Sequence, residues 1–234
     1  MTRKKRVAIL ISGRGSNMAS LIDAAALPDF PAEIVGVISN RADAKGLAIA
    51  AAKGINTSVI ASKGISREEN DKALDQALAG MKADIVCLAG YLRLLTDDFV
   101  GRWQGRLINI HPALLPLFKG LDTHQRALDA GVRVHGCTVH FVTPAMDDGP
   151  IVAQTAVPVL VSDDADSLGA RVLAAEHRLY PLGLRLVAEG RARMEDGRTV
   201  FADVSDDAAA GGTITAPAPR PQTPDIESLA RFTP

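Results

Sequence analysis

Apolar residues come in short runs, separated by polar, glycine-rich or alanine-rich segments. Val7, Ala8, Ile9, Leu10 and Ile11 are continuously apolar, as in a central strand covered on both faces. Residues 18–26 then have helical spacing. The same alternation predicts strands at 34–38, 57–60 and 84–90. It predicts helices at 43–52, stopped by Gly54, and from Ser66 to about Met81. Ser66 and Glu69 have the spacing of a capping box, and Thr96 can cap a short helix. The strand at 107–111 breaks the pattern. Leu107, Ile108 and Ile110 are apolar, but Asn109 and His111 are polar and two apart, so they share a strand face. Pro112 and Pro116 turn the chain away. A helix is expected at 122–130, ended by Gly131, then two strands at 134–142 and 151–159. Only eight residues separate those strands, which suits an antiparallel hairpin better than a crossover. A long amphipathic helix at 165–187, with a bend at Pro181, completes the periodic part.

This order of elements predicts an α/β fold: a Rossmann-like, mostly parallel sheet with helices on both faces and an antiparallel extension toward the C-terminal end. After about Asp203 the chain turns to Ala, Gly, Pro and Thr. We therefore expect one domain over 1–204 and a mostly disordered tail over 205–234.

Charge and cysteine content narrow the setting. Of 234 residues, 47% are hydrophobic and the formal net charge is −1, so a nucleic-acid or acidic-membrane partner has no electrostatic basis. The basic start Arg3-Lys4-Lys5-Arg6 precedes an apolar run too short for a signal peptide. No stretch reaches the ~20 apolar residues that span a bilayer. Cys87 and Cys137 lie in apolar runs without a C-x-x-C and are expected as buried, reduced thiols. A cytoplasmic protein is expected, as a monomer or homodimer with small-molecule substrates.

Two stretches carry candidate chemistry. Ser12-Gly13-Arg14-Gly15-Ser16-Asn17 joins the first strand to a helix, leaving backbone N–H groups free for a phosphate. It lacks the Gly-Lys-Ser/Thr of a P-loop, and Met18 occupies the third glycine position of a dinucleotide fingerprint. A phosphate monoester or an ordinary tight turn fits it. The second stretch is Asn109 and His111, read with the acidic turn Asp147-Asp148-Gly149-Pro150. Such turns are common without function. A carboxylate beside an imidazole favours imidazolium, however, and imidazolium with an amide can stabilise an oxyanion. With no serine or cysteine nucleophile evident, the attacking group would come from a substrate. His135 and His140 have no metal-ligand spacing and an odd separation, so no metal is expected. His124 and His177 read as ordinary surface groups.

These motifs resemble the phosphoribosylglycinamide formyltransferase family, the folate-dependent transformylases of purine synthesis. The resemblance rests on residues 12–17, Ile108-Asn109-Ile110-His111-Pro112 with Leu114-Leu115-Pro116, His135 to Val142, and Asp147 to Ile151, and covers roughly residues 6–200. Two positions depart from it. Asp148 stands where the family commonly has Gly, and Leu117-Phe118-Lys119-Gly120 replaces a Tyr-Pro-Gly or Tyr-Arg-Gly segment, a change expected to touch only a flexible loop. The resemblance implies that the phosphate of glycinamide ribonucleotide lies on Gly15, Ser16 and Asn17, with Glu176 at its sugar. It implies 10-formyltetrahydrofolate as co-substrate, with the pterin against Leu92, Arg93, Leu94, Leu95, Asn109 and the loop bearing Thr143, Met146 and Asp147, and Arg67 at a folate carboxylate. It implies catalysis by Asn109, His111 and Asp147. A solvated helix face is the other reading of Glu176.

Three alternatives stay open. A folate hydrolase would use water and usually carries an N-terminal regulatory domain, whereas here the first strand starts near residue 6. A methionyl-tRNA formyltransferase needs a C-terminal RNA-binding domain, where this chain has about thirty Pro- and Ala-rich residues. A binding module without catalysis would not need Asn109, His111 and Asp147 together.

Overall fold

The computed structural model describes residues 3–203 and 214–216. Ten strands and six helices appear among them: β1 Lys5–Ile11, α1 Ser16–Ala25, β2 Ala32–Ser39, α2 Lys45–Ala52, β3 Thr57–Val59, α3 Arg67–Gly80, β4 Ile85–Leu88 and α4 Asp97–Arg102. They continue as β5 Leu107–His111, α5 Thr123–Asp129, β6 Val134–Phe141, β7 Ile151–Pro158, α6 Ala165–Ala188, β8 Ala192–Glu195, β9 Arg198–Phe201 and β10 Ile214–Ala216. The main sheet has the order β10-β7-β6-β5-β4-β1-β2-β3. Pairing is parallel from β3 to β5 and antiparallel from β5 outward. The parallel part therefore has the order 3-2-1-4-5, and its direction of winding changes between β1 and β4. That switch point is where such sheets open a ligand crevice.

The continuous apolar run of β1 now has a physical reason. Val7, Ile9 and Ile11 pack with Met18, Leu21, Val172 and Leu179 on the side of α1 and α6. Ala8 and Leu10 pack with Leu74, Leu78 and Phe99 on the side of α3 and α4. β5 divides in the same way. Ile108 and Ile110 join the first cluster and Leu107 the second, so Asn109 and His111 share the α3/α4 side with Leu107. Tyr180 on α6 ties helix to sheet, its hydroxyl lying 2.9 Å from the Leu88 carbonyl and 3.1 Å from that of Ile108. Both carbonyls belong to strands that lead into the site. Cys87 and Cys137 are buried and unbridged, and burial pushes the Cys87 thiol up to about 12.

Local signals behave as the residues dictate. Ser66 Oγ accepts the Glu69 N–H at 3.1 Å, while the Glu69 carboxylate accepts the Ser66 N–H at 2.9 Å. Thr96 caps α4 through Phe99 N–H at 3.1 Å. α6 is one helix running through Pro181. The ribbon β8–β9 was not expected, although Asp196-Gly197 between its strands has φ of 47° and 73°, as a two-residue hairpin turn requires. Within the segment expected as a tail, Ile214–Ala216 pairs antiparallel with β7 from Ala156 to Gln154, covering an edge that β7 otherwise leaves unpaired. The rest of 205–234 lies outside the described residues. Among the described residues no helix is long and apolar enough to cross a membrane.

Candidate active site

The first element of the site is the turn after β1. Gly15 sits at φ 77° just before α1. A Cβ there would lie 2.8 Å from the Gly46 Cα, so glycine is required both by the turn and by its packing on α2. The first helical hydrogen bond runs from Ala19 N–H to Gly15 O at 2.9 Å. The amides of Ser16, Asn17 and Met18 are thus left outside the helix's own pattern, facing the end where an anion is favoured. Asn17 Nδ2 donates to Glu176 Oε2 at 2.7 Å. Glu176 is only 5% exposed, which replaces the reading of a solvated helix face. Burial pushes its carboxyl up to about 7, against the opposing hydrogen bond from Asn17.

The second element is the end of β5. His111 is 5% exposed. Its Nδ1 lies 3.3 Å from Asp147 Oδ2 and its Nε2 2.9 Å from the Phe118 carbonyl. Both neighbours only accept, so a doubly protonated ring satisfies both. Asp147 reaches this position from a turn that folds back over β5 and β6. Its backbone is left-handed at φ 50°, a conformation Asp tolerates better than most residues. Gly149 makes the fold-back possible, since a Cβ there would lie 1.7 Å from the Phe141 carbonyl. Asp147 Oδ2 also accepts the Gly120 N–H at 2.9 Å. Asp148 points away, is exposed and pairs with Lys119. Of the two adjacent carboxylates, Asp147 is the one at the imidazole.

Asn109 completes the group through His140. Its Nδ2 lies 3.2 Å from His140 Nε2. His140 Nδ1 lies 3.0 Å from the Phe141 carbonyl and must donate to it, leaving Nε2 to accept from the amide. Burial pushes His140 down to about 4, which keeps that neutral tautomer in place. Its Nε2 is 3.8 Å from Asp147 Oδ1. Asn109, His140, Asp147 and His111 therefore form one continuous polar group. Behind it, Thr138 Oγ1 accepts Leu115 N–H at 3.1 Å and donates to Ala113 O at 2.7 Å. This fixes the turn that follows His111.

The segment 117–120 is not a loop without consequence, as its departure from the family pattern suggested. Phe118 supplies the carbonyl at His111, Lys119 the ion pair to Asp148, and Gly120 the N–H at Asp147. A backbone that folds onto two catalytic candidates has few free conformations left. The histidines behind it are also less exposed than expected. His124 is partly buried with its ring 5.5 Å from that of His135, and His177 is partly buried as well. His135 packs 5.7 Å from the Phe118 ring, and burial pushes it down to about 4. Among the described residues no group of three or more His, Cys, Asp or Glu side chains could hold a metal ion.

The third element is the segment after β4. Leu92 and Leu94 are 75% and 61% exposed, unusual for two leucines so close in sequence beside a polar site. Leu95 instead packs partly buried against the α3/α4 cluster. Arg93 points its guanidinium at the carbonyls of Ser62, Ile65 and Ser66, at 2.9, 3.2 and 2.9 Å. It braces the segment through both terminal nitrogens, while its Nε is buried without a hydrogen-bond partner. Arg67 follows Ser66 at the exposed start of α3. Thr143 bonds within its own loop, Oγ1 to Ala145 O at 3.4 Å, and Met146 is 60% exposed.

Known proteins share this architecture. The family model for formyl transferase matches residues 5–184. The phosphoribosylglycinamide formyltransferase of Haemophilus influenzae is 44% identical over 82% of this chain and 91% of its own length. A trifunctional purine biosynthetic protein adenosine-3 of Bos taurus is 50% identical over 84% of this chain, which spans only 20% of that protein's length. The crystal structure of phosphoribosylglycinamide formyltransferase from Brucella melitensis superimposes with a TM-score of 0.77 at 55% identity, covering 86% of this chain and all of that one. With the matching domain, the shared sheet and relatives aligned over nearly their whole length, the chain belongs to the formyl transferase family and, within it, to the phosphoribosylglycinamide formyltransferases.

Proposed function

We propose that the protein transfers the formyl group of 10-formyltetrahydrofolate to the glycine amine of glycinamide ribonucleotide, in purine synthesis. The observation that carries this reading is the Asp147 carboxylate 3.3 Å from His111 Nδ1, in a buried polar group that also holds Asn109. The α1 N-terminus would take the ribonucleotide phosphate, and Glu176 with Asn17 its sugar. Leu92, Leu94 and Met146 would be covered by the folate, with Arg93, Leu95 and Thr143 shaping its slot and Arg67 meeting a carboxylate of its tail.

The substrate amine attacks the formyl carbon, forming a C–N bond and an oxyanion. Asn109 Nδ2, with one hydrogen on His140, has a second for that oxygen. His111 Nε2–H supplies the other donor by exchanging the Phe118 carbonyl for the oxyanion, a swap of one oxygen acceptor for another. Asp147 holds the imidazolium and accepts the proton lost by the attacking nitrogen, directly or through water. That proton passes to the folate nitrogen as its bond to carbon breaks, leaving tetrahydrofolate and the formylated ribonucleotide. The test is formyl transfer by purified protein from 10-formyltetrahydrofolate, with glycinamide ribonucleotide, water or methionyl-tRNA as acceptor. Turnover with the ribonucleotide is expected. Turnover only with water or tRNA would overturn the reading.

A further inference from the structure

A buried pair on α3 lies beneath the segment that follows β4. Asn70 is 0% and Asp71 2% exposed. They occupy a helix whose other core positions, Leu74 and Leu78, are apolar. A carboxylate is costly at such a position unless its oxygens are taken up. Here Asp71 Oδ2 accepts the Thr96 N–H at 2.7 Å, and Oδ1 accepts Asn70 Nδ2 at 3.3 Å. Asn70 Nδ2 also reaches the Tyr91 hydroxyl at 3.4 Å. The pair therefore holds both ends of residues 91–96, Tyr91 through Asn70 and Thr96 through Asp71.

The middle of that segment is held by other means. Leu92 N–H donates to Ser12 Oγ at 2.8 Å, Arg93 reaches outward to three carbonyls, and Leu95 packs inward. Leu94 stays exposed between the anchors. A short irregular segment with its ends fixed keeps one shape, whereas one end released gives many. Core filling alone would not select this arrangement, because an apolar side chain would fill the same space without desolvating a charge.

We propose that Asp71, oriented by Asn70, is a positioning residue for the formyl donor: it sets the shape of residues 91–95 and thereby the fit of the folate, without touching it. This rests on the reading of 92–95 as folate contacts. Asp71→Ala removes the acceptor for Thr96 N–H. Asp71→Asn keeps an oxygen for that N–H, and its new amide can be met by the Asn70 oxygen, which is buried and without a hydrogen-bond partner.

Steady-state kinetics and hydrogen exchange on the full chain test the idea. Because misplacement of a bound substrate by about 1 Å is enough to lose large factors, Asp71→Ala should raise KM for 10-formyltetrahydrofolate about tenfold or more, with KM for the ribonucleotide within about twofold. Asp71→Asn should restore folate KM to within about threefold of wild type. Amide exchange over 91–96 should quicken in Asp71→Ala while β5 stays protected. An unchanged folate KM, or an equal rise in both KM values, would overturn the proposal. If Asp71→Ala does not fold, Asn70→Ala decides it, since it frees Tyr91 and Asp71 Oδ1 but leaves the Thr96 N–H acceptor in place: folate KM must rise while ribonucleotide KM does not, and no change overturns the proposal. A wild-type protein that transfers no formyl group would overturn the functional reading instead, and the exchange measurement would then still show whether Asp71 orders the segment.

Discussion

Replacing Asp147 by Asn is the sharpest test of the proposed catalytic group. The amide keeps the size of the side chain and an oxygen for the Gly120 N–H, so the change is almost purely one of charge. At the observed 3.3 Å, with an effective dielectric of about 20, attraction between carboxylate and imidazolium is about 5 kcal/mol. Asp147 is slightly exposed, and the Asn dipole recovers part of the attraction. The effects usually seen for an opposite charge at close range, about 1.4–4 kcal/mol, are the better guide. If the transition state needs the imidazolium, kcat should fall roughly 10- to 1,000-fold, and its pH profile should change. Asp148 provides the control. It is exposed and paired with Lys119, an arrangement worth about 0–1 kcal/mol. Asp148→Asn or Asp148→Gly should therefore stay within about fivefold of wild type. Measuring kcat across neutral pH for the three variants, with circular dichroism to confirm folding, completes the experiment. A crippled Asp148→Asn beside a healthy Asp147→Asn would refute the geometry argued above.

Three further outcomes are expected. His111→Ala should lose at least ~10² in kcat while still binding ribonucleotide, as for loss of an oxyanion donor; isothermal titration with kinetics separates the two, and near wild-type turnover removes His111 from the mechanism. Glu176 has a folded value near 7, above the ordinary carboxyl, so its stabilising effect is complete below the unfolded value and is lost as pH rises through 7. Relative to Glu176→Gln, the unliganded wild type should thus lose about 3 kcal/mol between acid and neutral pH in denaturant titrations; parallel curves for both proteins would show that the carboxyl is not held protonated. Truncation after Val204 removes β10 from the edge of β7 and should lower Tm by only a few degrees with formyl transfer intact; loss of folding or activity would make the tail part of the domain.

The sheet was legible because its strands declare themselves. Runs such as Val7 to Ile11 exceed what a half-exposed strand would carry, and the eight residues between β6 and β7 leave no room for a crossover. The pairing of Asn109 with His111 followed from strand parity alone. What parity cannot give is which loop folds back onto the strand. The contact of Asp147 with His111 depends on the left-handed backbone at Asp147 and the close approach at Gly149, both set by packing over distance. The Asp-Gly of the β8–β9 turn is a hairpin signal that the sequence carries in plain form. Glu176 was undecidable from α6 alone, since its burial depends on α1, 159 residues away at Asn17.

The segment 117–120 shows what a motif comparison leaves out. Its side chains depart from the motif that the sequence otherwise resembles, yet two of its three contacts with the site are made by backbone: the Phe118 carbonyl and the Gly120 N–H. Backbone groups are present whatever the side chain, so sequence can drift there while the contacts persist. Only the pair from Lys119 to Asp148 depends on side-chain identity, and both of its members stand at the departures from the family pattern. Lys119 and Asp148 thus meet in space, the carboxylate pairing with the segment that closes over His111. An exposed pair of this kind adds little to stability. The 117–120 backbone is joined to the Asp147 turn by the Gly120 N–H instead, so Asp148 stays an exposed partner of Lys119 while Asp147 faces the imidazole.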